Sequence, residues 1–226
     1  PRQKEAVEHN KGPLLIIAGA GTGKTSVITR RIARLIETKR ALPEEIAALT
    51  FTEKAAVNME EGVDILLPYG YTNVLISTFH AFGDKILRDN ALAIGLDPNF
   101  KVLTRPGQII FFREHLFEFP ITYFRPLSDP TRFIEAMVIL FSRAKDEDTS
   151  PAEYLSYVKK LKDRLNKNPK DEEIKELILQ QEEIASAYGK YQELMGQSNR
   201  VDFGDQVYLC LKLLREHPLI LKTYQR

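Results

Sequence analysis

Leu14-Leu15-Ile16-Ile17-Ala18-Gly19-Ala20-Gly21-Thr22-Gly23-Lys24-Thr25 is the stretch on which the reading of this chain turns. Four consecutive apolar residues without polar alternation predict a strand buried on both faces. The glycines that follow lack a β-carbon, so successive backbone N–H groups can curl around phosphate oxygens. A helix is predicted next. Its Val27, Ile28, Ile32, Leu35 and Ile36 fall on one stripe, while Arg30, Arg31 and Arg34 face elsewhere. This order of strand, glycine loop and helix is the arrangement of a phosphate-binding loop. Lys24 reaches the β- and γ-phosphates as a point charge, the Thr25 hydroxyl ligates Mg²⁺, and the helix aims its positive end at the anion. Ala18 stands where the strict pattern has glycine, and a small residue meets the same need.

Two look-alikes fail. A dinucleotide fingerprint requires glycine where Lys24 stands. Asp202-Phe203-Gly204 imitates a kinase signature, but no catalytic-loop motif precedes it and the phosphate loop is of the wrong type.

Outward from the loop, Ile46-Ala47-Ala48-Leu49 and Val74-Leu75-Ile76 are predicted strands. Ala55, Ala56, Met59, Val63 and Leu66 mark one helix face, and Phe82, Ile86 and Leu87 another. Strand and helix alternating at this spacing argue a parallel α/β sheet. After about residue 90 the β signal vanishes. Residues 105–194 read as helices punctuated by Pro120, Pro126, Pro130, Pro151 and Pro169. Phe111, Phe112, Phe117 and Phe119 are expected to pack a helical core, since aromatics supply large burial per residue. The charged stretch from Lys159 to Glu183 is expected to be a solvated helical hairpin turning at Asn166-Lys167-Asn168-Pro169. Near the C-terminus Asp202 is expected to cap a helix, with Asp205 completing a capping box. Phe203, Val207, Cys210, Leu211 and Leu214 lie on that helix's apolar face.

Composition narrows the function classes. The 226 residues carry 32 Lys and Arg against 31 Asp and Glu, a net charge of +1, so a nucleic-acid partner requires a local basic surface. The single cysteine, Cys210, excludes an internal disulfide framework, and with four scattered histidines it disfavours a zinc site. No run approaches the ~18 apolar residues of a membrane span, and the polar start resembles no signal peptide. A cytoplasmic protein is expected.

A phosphate loop alone specifies an NTPase. Four further motifs resemble those of the UvrD-like superfamily 1 DNA helicases. Gln3, with Ala6 and Val7, is similar to the adenine-reading glutamine motif, placed about 20 residues before the phosphate-loop lysine. Leu49-Thr50-Phe51-Thr52-Glu53-Lys54-Ala55-Ala56-Val57-Asn58-Met59 resembles motif Ia, with Glu53 for the usual asparagine and Asn58 for the usual glutamate. Ser77-Thr78-Phe79-His80-Ala81-Phe82 resembles motif Ib, and Arg200-Val201-Asp202-Phe203-Gly204-Asp205 the family's VDFxD element. Ser26 departs from the arginine common after the Lys-Thr pair.

The resemblance implies an α/β, parallel-sheet, RecA-like P-loop NTPase domain, incomplete, with an all-α inserted subdomain. Residues 1–89 are its first part, 90–196 the helical 1B-like insertion, and 197–226 the return to the motor domain. It implies ATP and Mg²⁺ as cofactors, held by Gln3, Ala18, Gly19, Ala20, Gly21, Thr22, Gly23, Lys24, Thr25 and Ser26. Thr25 is the metal ligand, and Lys24 and Thr25 carry the catalytic roles. It implies single-stranded DNA and duplex junctions as partners, with contacts from Thr50, Phe51, Thr52, Lys54, Thr78 and His80. A free base can stack on Phe51, and threonine hydroxyls can reach phosphates; burial of Phe51 in the core is the competing reading. Movement is expected to run 3′ to 5′.

In the family a hydrophobic strand ending in Asp-Glu, the Walker B element, follows a helix such as Pro218 to Arg226. The chain is expected to stop before it and before the second motor domain of the same polypeptide, and so to turn over little ATP by itself. Asp202 and Asp205 are not expected to substitute for those carboxylates. Three alternatives stay open: the helicase part of a helicase–nuclease, a P-loop small-molecule kinase, and a non-enzymatic DNA-binding module.

Overall fold

The computed structural model describes residues 2–19, 21–67, 73–167 and 172–225. The chain divides into two compact units, one running to Phe82 and rejoined at Tyr224, the other Gly83–Thr223.

In the first unit, α1 (Arg2–Glu8) and α2 (Lys24–Glu37) are joined by Arg31 and by an Arg34–Glu8 ion pair. Arg31 donates from Nη1 to the carbonyls of Ala6 (3.0 Å) and His9 (2.7 Å), groups that the end of a short helix leaves unsatisfied. β1 (Ala47–Thr50), α3 (Glu53–Asp64) and β2 (Leu75–Thr78) follow, then α4 (Phe79–Asn90), which continues into the second unit. β1 and β2 are parallel, with Ala48 opposite Ile76 and Thr50 opposite Thr78. The intervening α3 supplies the crossover that a parallel pair needs. Ile32, Ala33 and Ile36 of α2 pack with Ala48, Met59, Val63 and Leu67 in one core. The helical stripes read from the sequence are therefore buried in their centres. Ile28 and Leu66 lie at the edges, both more than a third exposed.

The strand expected at Leu14–Ile17 does not form. These residues belong to no strand, and Leu15 (83% exposed) and Ile17 (89%) face solvent. A run that is apolar on every side is buried only where strands flank it on both edges and layers cover both faces. Among the described residues β1 pairs with β2 alone.

The second unit continues with β3 (Lys101–Leu103), α5 (Arg105–Glu114), α6 (Ile134–Asp146), α7 (Pro151–Lys167) and α8 (Glu172–Gln197). It closes with β4 (Arg200–Asp202), α9 (Phe203–Glu216) and α10 (Pro218–Tyr224). β3 and β4 pair in parallel, Val102 opposite Val201, which corrects the expectation of a purely helical region. Three-residue strands are too short to show a period in sequence. The aromatic core is present: Phe112 stacks on Phe119 with centroids 3.8 Å apart, and Phe141, Tyr188 and Tyr191 surround them. Phe117 is the exception. It is exposed, with the Arg125 guanidinium 5.3 Å from its ring. α7 and α8 form the expected hairpin, joined by Tyr154 Oη donating to Gln181 Oε1 (2.7 Å) and by a Lys162–Glu182 ion pair. Asn168 and Pro169 of its turn lie outside the described residues.

Gly83 of α4 meets α9 so closely that an added Cβ would stand 2.7 Å from the backbone oxygen of Gln206. Gly83→Ala is therefore expected to destabilise this unit by about 1–3 kcal/mol, the usual cost of overpacking. Chemical denaturation checks this, and an unchanged midpoint would refute it.

Candidate nucleotide site and strand-binding face

Ala18, Gly19, Gly21 and Thr22 of the loop are exposed, and its glycines shape it. Gly21 and Gly23 adopt φ of +73° and +83°, the left-handed region that L-residues with a β-carbon avoid. Gly23 is the N-cap of α2, so the helix's unsatisfied N–H groups point back toward the loop. Thr22 Oγ1 donates to the Gly19 carbonyl (2.8 Å) and closes the curve. Gln3 Nε2 donates to the Thr22 carbonyl (3.0 Å) and so fixes the first helix to the end of the loop. Lys24 Nζ lies within the same curve, donating to the carbonyls of Ala18 (2.8 Å) and Gly19 (2.7 Å). To meet a phosphate, the ammonium exchanges two carbonyl acceptors for stronger anionic ones. Thr25 and Ser26 sit exposed on the first turn of α2, with the Thr25 side chain beside the helix's positive end. Ala20 lies outside the described residues.

An exposed glycine cradle, a lysine inside it and a helix N-terminus behind it form a donor set for a polyphosphate. The Thr25 hydroxyl is the hard oxygen that Mg²⁺ prefers. These residues fit a Mg²⁺-nucleotide.

The other sequence-selected residues gather at the C-terminal ends of β1 and β2. Phe51 is 91% exposed, which excludes the core reading, and its ring lies 5.5 Å from that of the partly exposed Phe79. Two neighbouring exposed rings form a stacking platform. Thr50 and Thr78, by contrast, are buried. The Thr50 hydroxyl donates to the Thr52 carbonyl (3.0 Å), and Thr52 Oγ1 accepts from the Ala55 N–H (3.2 Å) as the N-cap of α3. Thr78 Oγ1 donates to Glu53 Oε1 (2.9 Å) and accepts from the Ala81 N–H (3.1 Å). These hydroxyls shape the two loops from within. Lys54 and His80 are exposed beside them. Sequence reasoning singled out Glu53 only as a departure, whereas it bridges the loops. Nothing in its local sequence signals a partner 25 residues away.

Lys145 was also missed. It is fully buried and bonds Asp202 Oδ2 (2.6 Å) and Asp205 Oδ1 (2.8 Å). The capping box is formed as expected, and Tyr191 Oη and Gln192 Nε2 also donate to the two carboxylates. Burial holds the Asp205 carboxyl above the usual carboxylate range despite Lys145. A cation already occupies this acidic pair, which makes it structural.

A family model described as the UvrD/REP helicase N-terminal domain matches residues 1–226. The chain belongs to that family. An ATP-dependent DNA helicase PcrA of Bacillus subtilis (strain 168) is 35% identical over 227 residues, covering 100% of this chain and 27% of the relative. DNA helicase II of Rickettsia typhi is 36% identical, covering 99% and 30%. A probable DNA helicase II homolog of Rickettsia felis is 33% identical, covering 100% and 31%. This UvrD/REP domain thus spans less than a third of the length of these curated relatives. Among its described residues no helix is long and apolar enough to cross a membrane.

Proposed function

We propose that this chain is the nucleotide-holding and strand-gripping part of an ATP-dependent DNA helicase that moves 3′ to 5′ on single-stranded DNA. The supporting observation is the exposed glycine cradle with Lys24 inside it, in the same compact unit as an exposed pair of aromatic rings at two parallel strand ends. In this reading Gly19–Gly23 and Ala18 wrap the phosphates, Lys24 neutralises them, and Thr25 orients the metal. Bound Mg²⁺ would offset charge on the terminal phosphates. Gln3 reads the base, a role supported by its amide standing beside the loop, where Nε2 donates to the Thr22 carbonyl. Phe51 stacks on an unpaired base, Lys54 and His80 approach the backbone, and the buried threonines keep those groups in register. Unwinding at duplex junctions, in the cytoplasm, then requires a second motor domain of the same polypeptide that closes on the nucleotide.

Phe51→Ala tests the strand-binding face. Base–aromatic stacking contributes about 1–3 kcal/mol, so the variant is expected to bind an unlabelled poly-dT competitor about 5- to 150-fold more weakly. Fluorescence anisotropy at fixed salt reads this, with nucleotide binding preserved. Equal affinity for the oligonucleotide would remove Phe51 from the interface. A small-molecule kinase would show no salt-sensitive oligonucleotide binding at all.

A further inference from the structure

Beside the phosphate loop lies a cavity of about 330 Å³ lined by Gln3, Lys4, Val7 and Glu8 of α1 and by Ser26, Val27, Arg30 and Arg34 of α2. Its volume is within the range of about 300–1,000 Å³ common for small-molecule sites. On α2, Ser26, Arg30 and Arg34 recur every four residues and so form one stripe along the wall. The three neighbouring arginines are not equivalent. Arg31 is committed to the carbonyls of Ala6 and His9, and Arg34 pairs with Glu8 at 3.6 Å. Arg30 is exposed and makes no hydrogen bond or ion pair among the described residues. The short Ser26 side chain leaves open the space one turn before it. Gln3 stands at the end of the cavity nearest the loop, through its bond to Thr22.

We propose that Arg30 is a specificity-determining residue whose guanidinium lies against the face of the nucleobase, in the cavity between α1 and α2. This rests on the reading of residues 18–25 as the phosphate cradle. A planar cation suits the π-face of a base, which a lysine ammonium matches less well. The apolar wall is Val7 and Val27, and the edge-reading amide is Gln3. Arg30 stands one helical turn beyond Ser26 on the same wall of the cavity. The phosphates do not need it, because Lys24 and the loop N–H groups serve them.

Equilibrium binding of ATP and of inorganic tripolyphosphate to the 226-residue chain, both with Mg²⁺ at up to millimolar concentrations, separates the two readings. Arg30→Ala is expected to weaken ATP about three- to thirtyfold and to leave tripolyphosphate unchanged, with Arg30→Lys in between. Lys24→Ala is expected to weaken both ligands. If Arg30→Ala changes neither ligand, or both equally, while Lys24→Ala still weakens both, the Arg30 assignment is overturned and the phosphate cradle stands. If Lys24→Ala changes neither, or the unaltered chain binds neither, the cradle and the Arg30 assignment fall together. Arg30 is exposed, so circular dichroism should show the same fold in every variant.

Discussion

Lys24→Ala is expected to weaken Mg²⁺-nucleotide binding about ten- to hundredfold, corresponding to the 1.5–3 kcal/mol of a hydrogen bond to a charged group. DNA-stimulated hydrolysis by a protein carrying this chain should fall further, about 10²–10³-fold, as when a preorganised donor is removed from developing negative charge. The structure makes this a clean test. Lys24 is exposed, and its two acceptors, the carbonyls of Ala18 and Gly19, are in the same exposed loop. Once freed, they can bond to water. The variant's melting temperature should therefore stay within a degree or two of the parent's, since exposed substitutions usually shift stability by less than about 0.5 kcal/mol. Undiminished ATP binding by a folded Lys24→Ala chain would end the phosphate-loop reading.

Lys145→Ala is expected to act in the opposite way, costing stability without touching the exposed loop. It leaves the carboxylates of Asp202 and Asp205 buried with no cation between them. Breaking one side of such a group costs about 3–5 kcal/mol, and a chain of this size loses about 2–4 °C per kcal/mol. A fall of about 6–20 °C is therefore expected in the second unit. Lys145→Met/Asp205→Leu removes opposite charges together and should recover part of that loss. A Lys145→Ala protein that melts with the parent would show the ion pairs to be energetically idle.

The same neighbourhood predicts weakening in alkali. Burial alone would lower the Lys145 pKa, but Asp205 and Asp202 outweigh it and raise it above 10.5. Burial raises the Tyr188 and Tyr191 phenols well above 10, and the Cys210 thiol from 9 to about 11. In each case the folded chain keeps a proton that the unfolded chain sheds. Stability from these groups is complete below about pH 9 and declines as the pH rises through the thiol, phenol and ammonium ranges. Denaturation midpoints measured between pH 8 and pH 11 should fall steadily. A flat profile would contradict the assignment.

The sequence was informative wherever chemistry is local. The glycine turn and the helix behind it were legible because left-handed backbone needs glycine and a helix leaves its period in the sequence. The parallel pair β1–β2 was legible within a residue or two, because strand, crossover helix and strand leave distinct periods. The Asp202–Asp205 capping box was legible because both partners lie within one turn. Phe51 was different. Its motif named it, but only the fold decided that the ring faces solvent beside Phe79.

What depends on distant partners belonged to the tertiary structure alone. Leu14–Ile17 has the composition of a doubly covered strand, yet composition does not specify which neighbours are present to cover it, and here it stays exposed. Thr50 and Thr78 read as surface hydroxyls until packing placed them beneath the loops. Nothing in its local sequence marks Lys145, which the fold brings across 57 residues to Asp202. Periodicity and turn chemistry act over a few residues and are written in the order of the chain. Burial and ion pairing depend on which segments meet, and that is decided only when the chain has folded.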